Sequence, residues 1–486
     1  VPSYITGLTG SGAAGYFQDQ SGTPRLLCFE MCWGLPGNAG RWQGAGGGTW
    51  QQDFDSYFAA RSSQGYTAWW GVPWVNSQTD HGAVYTDGRT WDGVYPFTIN
   101  GTPGTIATGA ETLGLNEPYW TRIDYMINSA KANGMVILLN LTMTYDLNNA
   151  TWVFGHLSST QANAYGVLLA NRYPVSTWPN VQWVFDDDEY AGNADTVLTA
   201  MLTGIRSTGD TRNCVTMEQF PETNCHVEFD TGAIYDPGGF GITYCQWNLC
   251  YTYDPCYLAV EASYTETGTS LIPVVWGDGV WYGDTDNATP DYTIRRYVWW
   301  ALASGARGIN LTSGGTTNTT SVSCWQSGGV AALTSDPNGP FITSRAPAII
   351  SYFTSLNGWH TLAPDTSNLL VTAGRGTKST NDAPSLSNTP KYGNTDNYVT
   401  ASRTPDTGSG AILAVIYCGQ HFSITIDQSK MAAGYGAKWV DPSSLALTTA
   451  TPGSTYNSTP LGNNSAGNPD WVLVLASPPY ATWTVI

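Results

Sequence analysis

An α/β fold is predicted: a (β/α)8 TIM barrel over residues 1–360, followed by a smaller all-β sandwich over residues 361–486. Three observations predict it. Eight short apolar runs of strand length occur before residue 360, and most are separated by stretches whose apolar residues recur at helical spacing. Alternation of that length implies a parallel sheet, and eight units imply its closure into a barrel. One of those runs ends in four consecutive carboxylates, Asp186-Asp187-Asp188-Glu189, at the position where barrel enzymes gather their polar groups. Past Trp359 the helical period disappears, and Gly/Asn/Thr/Pro turns separate short alternating runs, the texture of a sandwich. At 486 residues the chain is too long for one ordinary domain, so one large and one smaller unit fit its length.

The elements follow in order. Residues 1–24 are rich in Gly, Ser and Thr and read as an opening hairpin with a turn at Asp19–Gly22. Arg25–Phe29 is the first predicted barrel strand. Phe54, Tyr57 and Phe58 then mark a helix that ends near Gln64-Gly65. Tyr66–Trp70 is the second strand and opens into a long loop carrying Trp74, His81 and Trp91. Ile123, Met126, Ile127 and Ala130 mark a helix stopped by Asn133-Gly134, and Met135–Leu141 is the third strand. Tyr165, Leu168 and Leu169 mark the helix before the fourth strand, Val181–Phe185. Val197, Leu198, Met201, Leu202 and Ile205 precede the fifth, Cys214–Met217. Gly241–Trp247 and Leu271–Trp276 are the sixth and seventh strands, within turn-rich surroundings at 219–240 and 248–270. Thr289-Pro290 is an N-cap and N1 pair for the helix carrying Ile294, Tyr297, Val298, Ala301 and Leu302. Gly308–Leu311 is the eighth strand, and a last helix covers Ala346–Leu356.

Charge and composition narrow the function. Lys+Arg number 19 against 37 Asp+Glu, a formal charge of −18, whereas nucleic acid and anionic membranes require clustered cations. No stretch approaches the roughly 20 apolar residues of a membrane helix. Nucleic-acid binding and membrane insertion are therefore excluded as expectations. Gly 54, Trp 21 and Tyr 28 give the aromatic, cation-poor texture of carbohydrate-active proteins. The nine cysteines cannot all pair, none has a CxxC metal spacing, and Cys245, Cys250 and Cys256 form a loose group open to a disulfide.

In a barrel the residues just past each strand are the candidates. Here they are Glu30, Trp70 and Trp74, Thr142 to Asp146, Asp186 to Glu189, Glu218, Trp247 and Asn248, Asp278 and Asn310. Stacking rings with carboxylates and amides suit a neutral sugar, whereas an anionic substrate would call for Lys or Arg. Glycoside hydrolysis needs two carboxylates on either side of the scissile bond, and those after strands four and seven face each other across a barrel mouth. The plainer alternatives stay open. The acidic run also suits a solvated loop or a structural Ca²⁺ site, although it has no EF-hand spacing. Asp278 between two glycines also suits a turn. Trp69, Trp70, Trp74 and Trp281 each also suit the core.

Several motifs resemble the apiosidase-like glycoside hydrolases, in the family's order along nearly the whole chain. They are Leu26-Leu27 through Trp33-Gly34-Leu35, Pro179-Asn180 through Asp188, Ile272-Pro273 through Asp278, and Ile294-Arg295 through Gly308. Trp439 to Pro442 and Asp470 to Val474 resemble the family's C-terminal β domain, of the type labelled collagen-binding. The resemblance implies a retaining (β/α)8 glycosidase without a cofactor. It places Asp188 at the acid/base and Asp278 at the nucleophile, where the family usually has Glu. Glu30 falls on a residue that holds substrate hydroxyls. Trp33, Asp187, Glu189, Glu218 and Trp281 fall around the same cleft, with Asp284 as a reserve acid. Asp186-Asp187 stand where the family has two glycines, and Glu218 where it has a histidine.

The expected function is hydrolysis of a furanoside-containing polysaccharide, arabinan, arabinogalactan or apiose-type side chains, by two carboxylates. The alternative is a carbohydrate-binding adhesion protein on a degenerate glycosidase barrel. The texture also resembles minor tail proteins of phages of actinobacteria. That implies an extracellular or virion-associated protein whose partners are a polysaccharide and other tail proteins.

Overall fold

A computed structural model of the chain describes residues 2–9, 15–32, 34–40, 48–74, 87–142, 157–185, 194–212, 215–217, 248–252, 256–265, 273–279, 291–312, 344–379, 396–406 and 408–477. Eight parallel strands form its centre: β1 (Leu27–Met31), β2 (Ala68–Gly71), β3 (Val136–Asn140), β4 (Val181–Phe185), β5 (Val215–Met217), β6 (Asn248–Thr252), β7 (Val274–Gly279) and β8 (Gly308–Asn310). The sheet order is 5-4-3-2-1-8-7-6, and the two end strands, β5 and β6, approach each other. That is the cyclic order of an α/β barrel, with the ladder open between β5 and β6. Burial on both faces explains why most of these strands read in the sequence as continuous apolar runs.

Helices return the chain between strands: α1 (Trp50–Ser63), α2 (Glu117–Ala132), α3 (Ser159–Arg172), α4 (Ala194–Ser207), α5 (Tyr257–Thr265), α6 (Asp291–Ala303) and α7 (Ala346–Ser355). Local chemistry sets their ends. Thr49 with Gln52, and Ser158 with Gln161, form reciprocal capping boxes at the starts of α1 and α3. The stop at Asn133-Gly134 is as predicted, with Gly134 at φ +73.

Sheet pairing sorts each strand into two faces. Glu30 meets Tyr57 and Arg61 of α1, and Trp276 meets Tyr297 of α6; this parity faces the helices. The opposite parity faces the barrel axis: Phe29 and Met31 on β1, Trp70 on β2, Leu138 and Asn140 on β3, Val184 on β4 and Asn310 on β8.

Helices α3 and α4 touch backbone to backbone. A Cβ at Gly166 would stand 2.1 Å from the Met201 carbonyl oxygen, and one at Gly204 would stand 2.1 Å from that of Asn163. Gly166→Ala is therefore expected to destabilise the protein by about 1–3 kcal/mol, the cost of overpacking. Helix propensity alone favours Ala by about 1 kcal/mol. Urea unfolding distinguishes the two, and a more stable variant would mean that the helices can part freely.

Four elements differ from expectation. The described sixth strand is Asn248–Thr252, in a stretch read as turns, and the expected run 241–247 lies outside the described residues. Helix α5 lies in a stretch read as turns; it is nine residues long and has little one-sided apolar character, so periodicity did not reveal it. Arg25 belongs with Pro24 to the opening hairpin, paired to Phe17 and Gln18, and β1 starts at Leu27. Part of the long loop after β2 is a three-stranded antiparallel sheet of Phe97–Ile99, Thr102–Gly104 and Leu113–Leu115.

Past the turn at Trp359–Thr361 the chain forms two antiparallel sheets. The larger has six strands, with Leu413–Cys418 and Trp471–Ala476 paired at its centre; the smaller joins Val371–Ala373, Ser423–Ile426 and Thr455–Asn457. Alternation splits the central strands. Ala414, Ile416, Leu473 and Leu475 pack with the smaller sheet, in a cluster with Leu370 and Ile424. Leu413, Val415, Tyr417, Val472 and Val474 belong to the barrel's own hydrophobic cluster. The larger sheet is thus buried on both faces, one of them against α6.

Buried polar contacts fix that junction. Arg295 of α6 donates to Asp470 at 2.9 and 3.2 Å, and both side chains are fully buried. Tyr417 and Asn464 also donate to Asp470. Trp299 donates its indole N–H to the Pro442 carbonyl. No helix among the described residues is long and apolar enough to cross a membrane.

Candidate active site

The C-terminal ends of the eight strands define one mouth. At β1, Glu30 faces away from the axis: Oε2 accepts from the Tyr57 hydroxyl at 2.7 Å and from Arg61 Nε, and Oε1 accepts from Arg61 Nη2 at 2.7 Å. Tyr57 and Arg61 lie four apart on α1, so one helix face presents both donors. Burial works to lower the Arg61 guanidinium, but the adjacent Glu30 carboxylate outweighs it and holds Arg61 well above its ordinary value. This ion pair ties β1 to α1. Burial, with Glu30 adding to it, pushes the neighbouring Cys28 thiol far up, which leaves it no thiolate character at neutral pH.

This geometry places the Glu30 carboxylate on the helix-facing side of β1, in the grip of Tyr57 and Arg61. Glu30→Ala strands the Arg61 charge in the core, and a destabilisation of about 3–5 kcal/mol is expected from breaking such a pair. Thermal unfolding and Michaelis kinetics measured together check this. A raised KM with unchanged melting would return Glu30 to the substrate.

Around the rest of the mouth, Trp70 is fully buried on the axial face, with its ring edge-on to Phe29 at 5.6 Å. Trp74, just past β2, is fully buried against Phe97 and Tyr165. Strand β4 ends at Phe185, so Asp186 to Glu189 begin where the strand stops. Strand β7 contains Gly277, Asp278 and Gly279. Between β6 and β7 the register runs Cys250 to Trp276 and then Thr252 to Gly279. Strand β7 therefore carries one extra residue across Gly277-Asp278, and simple alternation is broken there. Such bulges re-aim side chains beside active sites.

Trp33, Asp187, Asp188, Glu189, Glu218, Trp247, Trp281 and Asp284 lie outside the described residues. Asn248 opens β6 instead of following a strand, which places it at the far end of the barrel from the mouth. The reason is the shifted sixth strand. Cys256 is a free, buried thiol that donates to the Tyr297 carbonyl, so the disulfide group expected around it does not include Cys256.

Two polar positions on the axial face were not singled out. Asn140 is the last residue of β3 and fully buried; an amide closing an otherwise apolar strand is the signal that finds it. Thr312, just past β8, bridges the strands: its hydroxyl accepts from the Met31 N–H at 2.8 Å, and its N–H donates to Asn310 Oδ1 at 2.8 Å. Among the described residues no group of three His, Cys, Asp or Glu side chains could hold a metal.

Among the described residues the mouth thus presents amides, a hydroxyl and a broken register at Asp278; the acidic run that follows Phe185 in the sequence lies outside them. The family model of the apiosidase-like catalytic domain matches residues 11–316. A solved structure described as a glycoside hydrolase is similar at TM-score 0.69 and 18% identity, covering 98% of each chain. A family 5 glycoside hydrolase from Bacteroides vulgatus is similar at TM-score 0.67 and 17% identity, covering 99% of this chain and 96% of that one. These likenesses are of fold. No curated protein matches the sequence.

Proposed function

The chain belongs to the apiosidase-like family through a catalytic domain spanning residues 11–316, and on that premise we propose that it hydrolyses furanoside-containing polysaccharides. Arabinan, arabinogalactan and apiose-type side chains are the substrate class. The observation that supports this best is the placement of carboxylates in a member of this family: Asp186 to Glu189 directly past β4, and Asp278 at the irregular end of β7.

In the proposed reaction Asp188 protonates the leaving glycosidic oxygen while the Asp278 carboxylate attacks the anomeric carbon. The C–O bond breaks and a glycosyl ester forms on Asp278. Asp188, now ionised, then takes a proton from water, whose oxygen displaces Asp278 and restores the original configuration. Asp278 is one methylene shorter than the Glu usual in the family, and it stands in β7 where the register with β6 shifts by one residue. Asp187 and Glu189 flank the acid, Glu218 follows β5, and Trp33 and Trp281 supply stacking faces; Asn248 falls outside this cleft. Within the same proposal the protein acts extracellularly or on a virion tail, where an envelope polysaccharide meets it.

Incubation with arabinogalactan and with pectic side chains, followed by proton NMR of the first product, tests the reading. Sugar released with its anomeric configuration kept supports the double displacement. Inverted product would make Asp278 a base. No release from either polymer, with binding retained, would assign the barrel to carbohydrate binding alone.

A further inference from the structure

We propose a second carbohydrate-binding site on the shoulder of the barrel mouth, in which Trp91 is a stacking platform for a neutral saccharide chain. This rests on the glycosidase reading above and extends it beyond the cleft. The position follows from topology. Trp91 belongs to the segment after β2, and it is bonded to the segment after β1; both emerge at the C-terminal end of the sheet.

Trp91 is the exposed tryptophan among the described residues, at 38% accessibility, whereas Trp69, Trp70, Trp74, Trp120, Trp183 and Trp276 are fully buried. It is nevertheless fixed. Its indole N–H donates to the Ala39 carbonyl at 3.0 Å, and its backbone N–H donates to the Gly37 carbonyl at 2.9 Å. Gly40 lies beneath it at φ +94, where a Cβ would stand 3.4 Å from the indole nitrogen. A rigid aromatic face loses little entropy when it takes up a ligand.

The surroundings fit a polyol. Asp92, next in the chain, is clamped by Arg122 at 2.7 and 3.0 Å, and Arg89 lies over the Tyr95 ring at 4.7 Å. Trp50, whose Cβ and the Trp91 indole nitrogen would each stand 3.4 Å from a Cβ at Gly40, is half-buried like Tyr125, with their rings 5.3 Å apart and Arg122 over Trp50 at 5.7 Å. Asp92, adjacent to Trp91 in the chain, and its partner Arg122 supply a fixed acceptor and donor, groups that engage sugar hydroxyls while a C–H face of the sugar lies on the indole. A polyanion would meet a chain of formal charge −18.

Affinity electrophoresis through gels containing arabinogalactan tests the proposal, in an Asp188→Asn background so that the polymer survives. Adding Trp91→Ala is expected to weaken binding about tenfold, the equivalent of 1.4 kcal/mol. Trp91→Phe loses the bond to Ala39 but keeps a ring, and it is expected to restore most of the binding. Leu369→Ala, another exposed apolar side chain, is expected to change nothing. Equal retardation with and without Trp91→Ala, at unchanged melting temperature, would overturn the platform, as would an equal loss in Leu369→Ala. If wild type hydrolyses the polymer but the Asp188→Asn protein is never retarded by it, the platform falls and the glycosidase reading stands. If there is neither hydrolysis nor retardation, both fall.

Discussion

Asp188→Asn is expected to lower turnover on a natural polysaccharide by about 10²–10⁴-fold, the range removed with a general acid. The amide preserves size and hydrogen bonding but cannot release a proton to the departing oxygen. The loss should depend on the leaving group. An aryl furanoside with an acidic phenol needs no proton to depart, so its first step should survive and the glycosyl-enzyme should accumulate as a burst. Asp278→Asn removes the proposed nucleophile and should depress both substrates alike, with no burst. Stopped-flow release of the phenol from both variants distinguishes the roles. A burst in Asp278→Asn, or equal losses on both substrates in Asp188→Asn, would exchange or abolish these assignments. Asp284 would then be the next acid to replace.

The second large effect is expected far from the mouth. Asp470→Ala should destabilise the protein by about 3–5 kcal/mol, because it leaves the Arg295 guanidinium fully buried without its counter-charge. The effect should also reach the chemistry. Helix α6 follows β7, packs on the core with Trp299 and Trp300, and is held from behind by the larger C-terminal sheet. Loosening that contact should unsettle the strand that carries Asp278. Replacing the pair together, with Arg295→Met and Asp470→Leu, should recover most of the stability, since buried ion pairs exchange for apolar packing at little cost. Denaturant unfolding of the single and double variants checks this. A double variant no better than Asp470→Ala would show that the hydrogen bonds from Tyr417 and Asn464 matter more than the charges.

Much of this architecture was legible before the structure, for physical reasons. Strands such as β3 and β4 are buried on both faces, so they stand out as unbroken apolar runs, and caps such as Asn133-Gly134 mark where helices stop. Strand β6 did not stand out, because Asn248, Cys250 and Thr252 dilute its apolar content. The short helix α5 carries too few turns to show a stripe. Within the mouth, Glu30 was visible as a carboxylate near a strand end, but its partner lies on the next helix. The sign was present in hindsight: Arg61 stands on the same side of α1 as Phe54, Tyr57 and Phe58, and a cation among buried rings requires an acid. The position of Asp278 on β7 was legible from strand order; Asp188 lies outside the described residues. Their division into acid and nucleophile came from family resemblance.

The pairing of β1 with β8 has a consequence for how the chain is made. Leu27 lies beside Gly308, and Met31 is bonded to Thr312, so the first and last barrel strands are neighbours in the middle of the ladder. A nascent chain emerging from the ribosome holds β1 long before β8 exists. Until then β1 has β2 on one side and an unsatisfied edge on the other, the kind of edge on which other chains can pair. Productive synthesis must therefore shelter that edge through most of translation, and slow elongation between α1 and β8 should lower the soluble yield.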